Sequence, residues 1–267
     1  MDTAAYRVAK TEGRESVSGA VYVGVDLSED RDCEITRPPQ VVPAAEGYER
    51  WAPSYDDAPN PLLAREERYL TPVLTKLQFK SFLDVACGTG RWLEKLFLLG
   101  GESGVGIDLS AAMLRVADRK STISGRLAQA TCAELPLAAA VFDLAICSFA
   151  LGHIHDLASA VSELKRVTKI GADVFVSDLH PGAYQRGWRV GFRDRATSVQ
   201  IEVHARSSDE VVAAFSSHGF KCVSELPLWL GEPEQPLFAR AGKSESFEDA
   251  CHLPAILTCH FRRVASS

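Results

Sequence analysis

The run Leu83-Asp84-Val85-Ala86-Cys87-Gly88-Thr89-Gly90 constrains this chain more than any other feature, taken together with Asp108 in Gly104-Val105-Gly106-Ile107-Asp108-Leu109-Ser110. Residues 82–85 read as a short buried strand, Gly88 and Gly90 let the backbone turn tightly beside a ligand, and residues 92–99 begin a helical pattern. Asp108 then closes a second strand, where its carboxylate can accept hydrogen bonds from ribose hydroxyls at the carboxyl edge of a parallel sheet. Strand, turn, helix, strand and acid in that order point to a nucleoside-binding α/β domain.

A dinucleotide fold calls for a third small residue in G-x-G-x-x-G, but the position three after Gly90 is Leu93. Asp84 also puts a carboxylate at the lip of the loop, where it would repel a pyrophosphate and suit a ligand bearing sulfonium and ammonium charges. S-adenosylmethionine is such a ligand.

These segments resemble the class I S-adenosylmethionine-dependent methyltransferases, in particular the branch containing ubiquinone and menaquinone methyltransferases. Tyr48-Glu49-Arg50-Trp51-Ala52-Pro53-Ser54-Tyr55-Asp56 is similar to that branch's opening helix, residues 83–90 to its first motif and residues 105–110 to its second. Ala130-Thr131-Cys132-Ala133-Glu134-Leu135-Pro136-Leu137 resembles its adenine loop, residues 142–153 its fourth strand and residues 163–176 the helix and strand that follow. The likeness covers roughly residues 46–180, in the family's order and spacing. Two positions depart from it: Cys132 stands where the family usually has Asp, which leaves the hydrogen bond to the adenine amine to Glu134, and Gly152-His153 replaces a frequent His pair.

The resemblance implies S-adenosylmethionine as cofactor, held by Tyr55, Asp84, Ala86, Gly88, Gly90 and Asp108, with Leu109 and Met113 flanking adenine or ribose. It further implies Cys132, Ala133 and Glu134 around the base, Ser148 and Phe149 beside the cofactor, and Tyr48 and Trp51 closing over methionine or substrate. The implied fold is a Rossmann-like seven-stranded, mostly parallel sheet with helices on both faces, an N-terminal helical cap and a substrate-side insertion.

Composition narrows the partners. The chain has 267 residues, enough to bury a full core, and 35 acidic against 29 basic residues give a net charge of −6. That balance speaks against nonspecific nucleic-acid binding. The longest largely apolar stretch, residues 137–151, is interrupted by Asp143 and falls short of the about 20 residues a membrane span needs. The charged N-terminus lacks the apolar centre of a secretory signal, so a cytoplasmic protein is expected. The expected partner is a small molecule, acidic or aromatic, and a homodimer is one assembly open to the chain. Seven cysteines without a C-x-x-C pair read as reduced thiols, and no metal is expected, even at the Cys251-His252 and Cys259-His260 echo.

Along the chain, residues 1–45 form an N-terminal extension in which residues 20–27 could add a strand and Arg37-Pro38-Pro39-Gln40-Val41-Val42-Pro43 reads as an extended linker. Residues 46–80 make a helical cap, two helices divided near Pro59-Asn60-Pro61. The methyltransferase-like domain occupies residues 81–267, with strands expected at 82–86, 105–108, 125–130, 142–148 and 173–178. A helix capped by Ser207-Ser208-Asp209-Glu210 then precedes two last strands, at 220–230 and 254–262. Residues 181–206 interrupt the alternation and are taken as the insertion.

Methyl transfer from a sulfonium needs alignment and exclusion of water, and a base only when the attacking atom is protonated. His153, just past the fourth strand, is the leading base candidate, and His180, just past the fifth, the second. His204, on an alternating segment at 199–204, is expected over the substrate pocket. Arg186 and Arg189, in an arginine-rich part of the insertion, would suit a carboxylate or phosphate on the substrate. The expected activity is methyl transfer to an oxygen, nitrogen or carbon atom of a small molecule in specialised or cofactor metabolism. A nicotinamide-dependent oxidoreductase on the same sheet and a nonenzymatic S-adenosylmethionine-binding module stay open as alternatives.

Overall fold

The computed structural model of the protein describes residues 22–23, 38–194 and 197–265. The chain begins with β1 (Tyr22–Val23), β2 (Gln40–Val42), α1 (Ala44–Trp51) and α2 (Pro61–Leu74). An alternating series follows: β3 (Ser81–Val85), α3 (Arg91–Leu98), β4 (Ser103–Asp108), α4 (Ala111–Ala117), β5 (Leu127–Gln129), β6 (Phe142–Ser148), α5 (Leu157–Val167) and β7 (Thr168–Leu179). The rest comprises α6 (Pro181–Gln185), β8 (Arg189–Asp194), β9 (Thr197–Ile201), α7 (Ser208–Ser217), β10 (Phe220–Leu228), α8 (Gln235–Arg240), α9 (Phe247–Cys251) and β11 (Ile256–Arg263).

Seven strands form one sheet in the order β10-β11-β7-β6-β3-β4-β5. Strand β11 runs antiparallel to both neighbours, and the remaining pairs are parallel. Helices must therefore cover both faces, as the continuous burial of Phe82, Leu83, Asp84 and Val85 on β3 requires. On one face Leu157, Val161 and Leu164 of α5 pack with Val211 and Phe215 of α7; on the other, Leu70 and Leu74 of α2 pack with Trp92 and Leu96 of α3. The strand order reverses at β3, between β4 and β6, and the crevice beyond their carboxyl ends is where such sheets take ligands.

Local chemistry sets the helix boundaries. Asn60 accepts hydrogen bonds from the backbone N–H groups of Leu62 and Leu63, with Pro61 at the first helical position, so the expected break before α2 is real. Ser207 and Glu210 form a reciprocal capping box on α7.

The structure corrects the sequence reading in one place and extends it in two. The 37–43 segment is more than a linker: Gln40–Val42 pairs in parallel with Val199, Gln200 and Ile201, and Val42 is buried. Together with β1 and the β8–β9 hairpin it makes a second, four-stranded sheet, β1-β8-β9-β2. The expected strand at 20–27 is seen at Tyr22–Val23, paired with Arg189 and Val190; its other residues lie outside the described ones. Finally, the two last strands pair antiparallel as β10 and β11, and the segment joining them carries α8 and α9, whose Phe238 and Ala250 bury against Leu179, Trp188 and Leu228. Buried Glu234 ties this excursion to Arg68 of α2 at 2.8 Å.

Candidate active site

The crevice at the strand reversal opens into a cavity of about 380 Å³. Its first wall is the turn after β3. Ala86, Gly88 and Gly90 all adopt left-handed backbone there, at φ 55°, 56° and 82°. Gly88 meets both demands on a glycine: its φ is positive, and a Cβ placed on it would point into open space where a ligand can approach the backbone. Gly90 works differently. A Cβ there would lie 2.3 Å from Ile123, so it serves close packing of α3 and stands outside the cavity walls.

Asp108, at the end of β4, faces the same turn. Its Oδ2 accepts the Gly88 N–H at 2.7 Å and its Oδ1 the Ser110 N–H at 2.8 Å, which fixes the carboxylate while lone pairs remain for a ligand. Burial raises its pKa despite those backbone donors. Leu109, Met113, Cys132 and Ala133 continue this wall. Glu134 is exposed and does not line the cavity, so it is poorly placed to take over the contact that Cys132 lacks.

Asp84 is enclosed beneath the turn. Its Oδ2 accepts the Leu93 N–H at 2.8 Å, capping α3 where Gly90 offers no side chain, and burial pushes its carboxyl up to about 7. It borders a narrow recess with Thr89, Arg91 and Trp92, which shares Tyr55, Ala86, Gly88 and Ser148 with the main cavity. Glu66, unforeseen from the sequence, braces this corner. The carboxylate is fully buried and accepts hydrogen bonds from Arg91, from the Trp92 indole at 3.0 Å, from Ser148 at 2.8 Å and from Ser177. A signal existed: Glu66 sits in the same helical stripe as Leu62 and Leu70, where a lone acid has to find partners.

The opposite wall carries Tyr48, Tyr55, Ser148, Phe149 and His153. Phe149 is held at φ 53°, a conformation that costs a bulky side chain of order 1–3 kcal/mol and aims it at the cleft. The His153 Nδ1 lies 3.0 Å from the Glu202 carbonyl and Nε2 lies 3.0 Å from the Tyr48 hydroxyl. A carbonyl only accepts, so Nδ1 bears the proton and Nε2 accepts from Tyr48. Burial brings the His153 pKa down to about 4 and raises that of Tyr48 well above the usual phenol value. Ala44 and Ala45 on α1 also line the cavity; nothing in the sequence marked them.

Several expected residues fall elsewhere. Trp51 is 3% exposed and stacks on Phe192 at 5.1 Å, packing α1 against β8 rather than lining the cavity. The His180 Nδ1 accepts the Gly182 N–H at 3.0 Å, capping α6, and its ring stands outside the cavity walls. His204 is exposed and packs edge-on against His155, which does line the rim. Arg189 donates to the carbonyls of Tyr184 and Trp188 and lies over the Tyr184 ring, while Arg186 is exposed at the end of α6. Neither arginine lines the cavity. Among the described residues there is no cluster of His, Cys, Asp or Glu suited to a metal ion.

Comparison with known proteins bears on the family and the fold. Residues 83–176 match a family described as a methyltransferase domain. The matched segment runs from β3 into β7 and contains the turn after β3 and Asp108. It is 33% identical over 137 residues to demethylmenaquinone methyltransferase of Lactiplantibacillus plantarum, covering 47% of this chain and 57% of that protein. To malonyl-[acyl-carrier protein] O-methyltransferase of Salmonella typhimurium it is 35% identical over 169 residues, 60% of this chain and 62% of the other. The alignments thus span less than two thirds of these relatives' length. The fold matches that of an S-adenosylmethionine-dependent methyltransferase structure from Listeria monocytogenes with a TM-score of 0.60, at 19% identity, over 76% of this chain and 100% of that one.

Proposed function

We propose that this protein transfers a methyl group from S-adenosylmethionine to a small, uncharged aromatic acceptor. The observation that carries the reading is the Asp108 carboxylate, held by the Gly88 and Ser110 N–H groups at the mouth of a cavity with otherwise largely apolar walls. In this reading Asp108 takes the ribose hydroxyls, and Leu109, Met113, Cys132 and Ala133 surround the base. Tyr55, Gly88 and the Asp84 recess receive the positively charged end. Bound there, S-adenosylmethionine supplies an electrophilic methyl on sulfur. The protein's own contribution is alignment and exclusion of water, the main requirements of a direct displacement.

The acceptor enters beside Tyr48, Phe149 and His153. An aromatic rather than an acidic acceptor is favoured because Arg186 and Arg189 lie away from the cavity, while the residues at this end are two phenols, a phenyl ring and a neutral imidazole. Incubation with isotopically labelled S-adenosylmethionine and a panel of phenols, hydroxyquinones and heteroaromatic amines, read by mass spectrometry, tests the reading. Labelled product from neutral aromatics but not from their carboxylated analogues is expected. Tight cofactor binding with no transfer to any acceptor would favour a nonenzymatic binding module instead.

A further inference from the structure

The cavity is roofed by segments distant from one another in sequence. Helix α1 supplies Ala44, Ala45 and Tyr48 to its wall. The β8–β9 hairpin holds α1 through the β2–β9 pairing, through Arg50 to Asp194 at 2.8 Å and through Trp51 stacked on Phe192. One side chain of the sheet's own loops joins both parts of this roof. His153, in the turn after β6, donates from Nδ1 to the Glu202 carbonyl just past β9 and accepts at Nε2 from Tyr48 on α1. The Tyr48 and His153 rings also pack edge to face, 5.2 Å apart, and the His204 N–H closes the corner on the Gly152 carbonyl at 2.9 Å.

We propose that His153 and Tyr48 are positioning residues that latch α1 and the β8–β9 hairpin over the cleft and so hold the bound cofactor in place, rather than a base and its substrate contact. The inference rests on the cofactor reading above. The lone pair a general base would need is already filled by the Tyr48 hydroxyl. Burial and the neighbouring His204 keep the imidazole neutral, with a pKa of about 4, too low for an effective base near neutral pH. Both ring nitrogens are spent on holding two pieces of chain together.

The latch also has a pH dependence of defined sign. Tyr55, Asp178 and Asp108 face Tyr48, and His204 faces His153. Protonated His153 cannot accept from Tyr48, so the closed state disfavours the proton, whereas an opened, hydrated imidazole regains a value near 6.5. By linkage the closed state is fully favoured above that value and loses ground as pH falls from there toward about 4.

Release of radiolabelled S-adenosylhomocysteine into an unlabelled chase tests this without any acceptor. Tyr48→Phe, which removes one oxygen and keeps the ring, and His153→Leu are both expected to speed release about three- to tenfold, in keeping with the loss of one or two hydrogen bonds. His153→Gln, which can still accept from Tyr48, is expected to fall nearer the unaltered protein. Release from the unaltered protein should accelerate between pH 8 and pH 5 more steeply than release from His153→Leu, in which only the protonation of Asp84 and its neighbours still acts. Unchanged release rates in variants that melt at the normal temperature would overturn the latch while leaving the cofactor reading intact. Failure of the unaltered protein to bind S-adenosylhomocysteine would overturn both.

Discussion

The wall around Asp108 and the roof over it are built on different principles. The wall consists of neighbours in sequence. The turn after β3 and the acid ending β4 meet through adjacent parallel strands, and its contacts are backbone N–H groups to carboxylates. The roof joins α1 and β2 to residues about 150 positions away, through a two-edged small sheet, one aromatic stack and one partly exposed ion pair. The wall sits on the main core and cannot move without disturbing the seven-stranded sheet. The roof has a small core of its own, Val42, Trp51, Phe192, Val199 and Ile201, separate from the clusters that pack on the main sheet.

Four substitutions would break or sharpen that contrast. Glu66→Ala should have the largest effect, because it leaves the Arg91 guanidinium without its buried partner at the base of the wall. A loss of about 3–5 kcal/mol in global stability is expected by urea unfolding; a change below about 1 kcal/mol would show that the wall is not the rigid half.

Asp108→Ala should act on binding. Losing hydrogen bonds to a charged acceptor is expected to weaken S-adenosylmethionine by roughly 10- to 100-fold in calorimetry. Equal affinities would remove Asp108 as the ribose ligand and with it the proposed orientation of the cofactor.

Asp84→Asn separates stability from affinity within the wall. Because burial raises the Asp84 carboxyl to about 7, the folded chain holds this proton more tightly than the unfolded chain does. Its contribution is therefore greatest at low pH and is lost as pH rises from about 4 through about 7. The asparagine keeps an acceptor for the Leu93 N–H without the buried charge. The ligand-free variant should melt about 2–4 °C higher at pH 8, yet bind S-adenosylmethionine more weakly. A melting temperature unchanged at pH 8 would contradict a buried, ionising Asp84.

The smallest effect belongs to the roof. In the Arg50–Asp194 pair the side chains are 27% and 40% exposed, and solvent screening limits its worth to about 1 kcal/mol or less. Arg50→Ala should leave global unfolding nearly unchanged and raise hydrogen exchange selectively in α1 and β2. Uniform exchange throughout the chain would erase the distinction between wall and roof.

Much of the wall was legible in the sequence because each of its parts is a short contiguous pattern. Gly88 and Asp108 lie where strand-turn-helix spacing puts them, and Leu109 and Met113 where the family resemblance implies. Gly90 and Asp84 belonged to the same motif, but spacing could not tell that Gly90 packs against Ile123 or that Asp84, besides bordering the recess, caps α3. In the roof, the aromatic spacing of Tyr48, Trp51 and Tyr55 was visible, but not which ring would enter the cleft and which would stack on Phe192. Arg186 and Arg189 were misleading because composition records charge and not direction. His180 misled for a related reason, since its place after a strand suits a helix cap as well as a cleft.

By itself the sequence determined the sheet's parallel core, the turn beside it, the helix caps and the acid at the end of β4. All of these follow from alternation, glycine conformation and capping chemistry acting over a few residues. Only the tertiary structure decided that a proline-rich segment becomes β2, that Glu66 is the hub of the buried corner and that both nitrogens of His153 are occupied. Those outcomes depend on which distant groups are brought together once water is excluded. A buried hydrogen-bonding group must find its partner wherever the fold supplies one, and separation along the chain does not enter into that requirement.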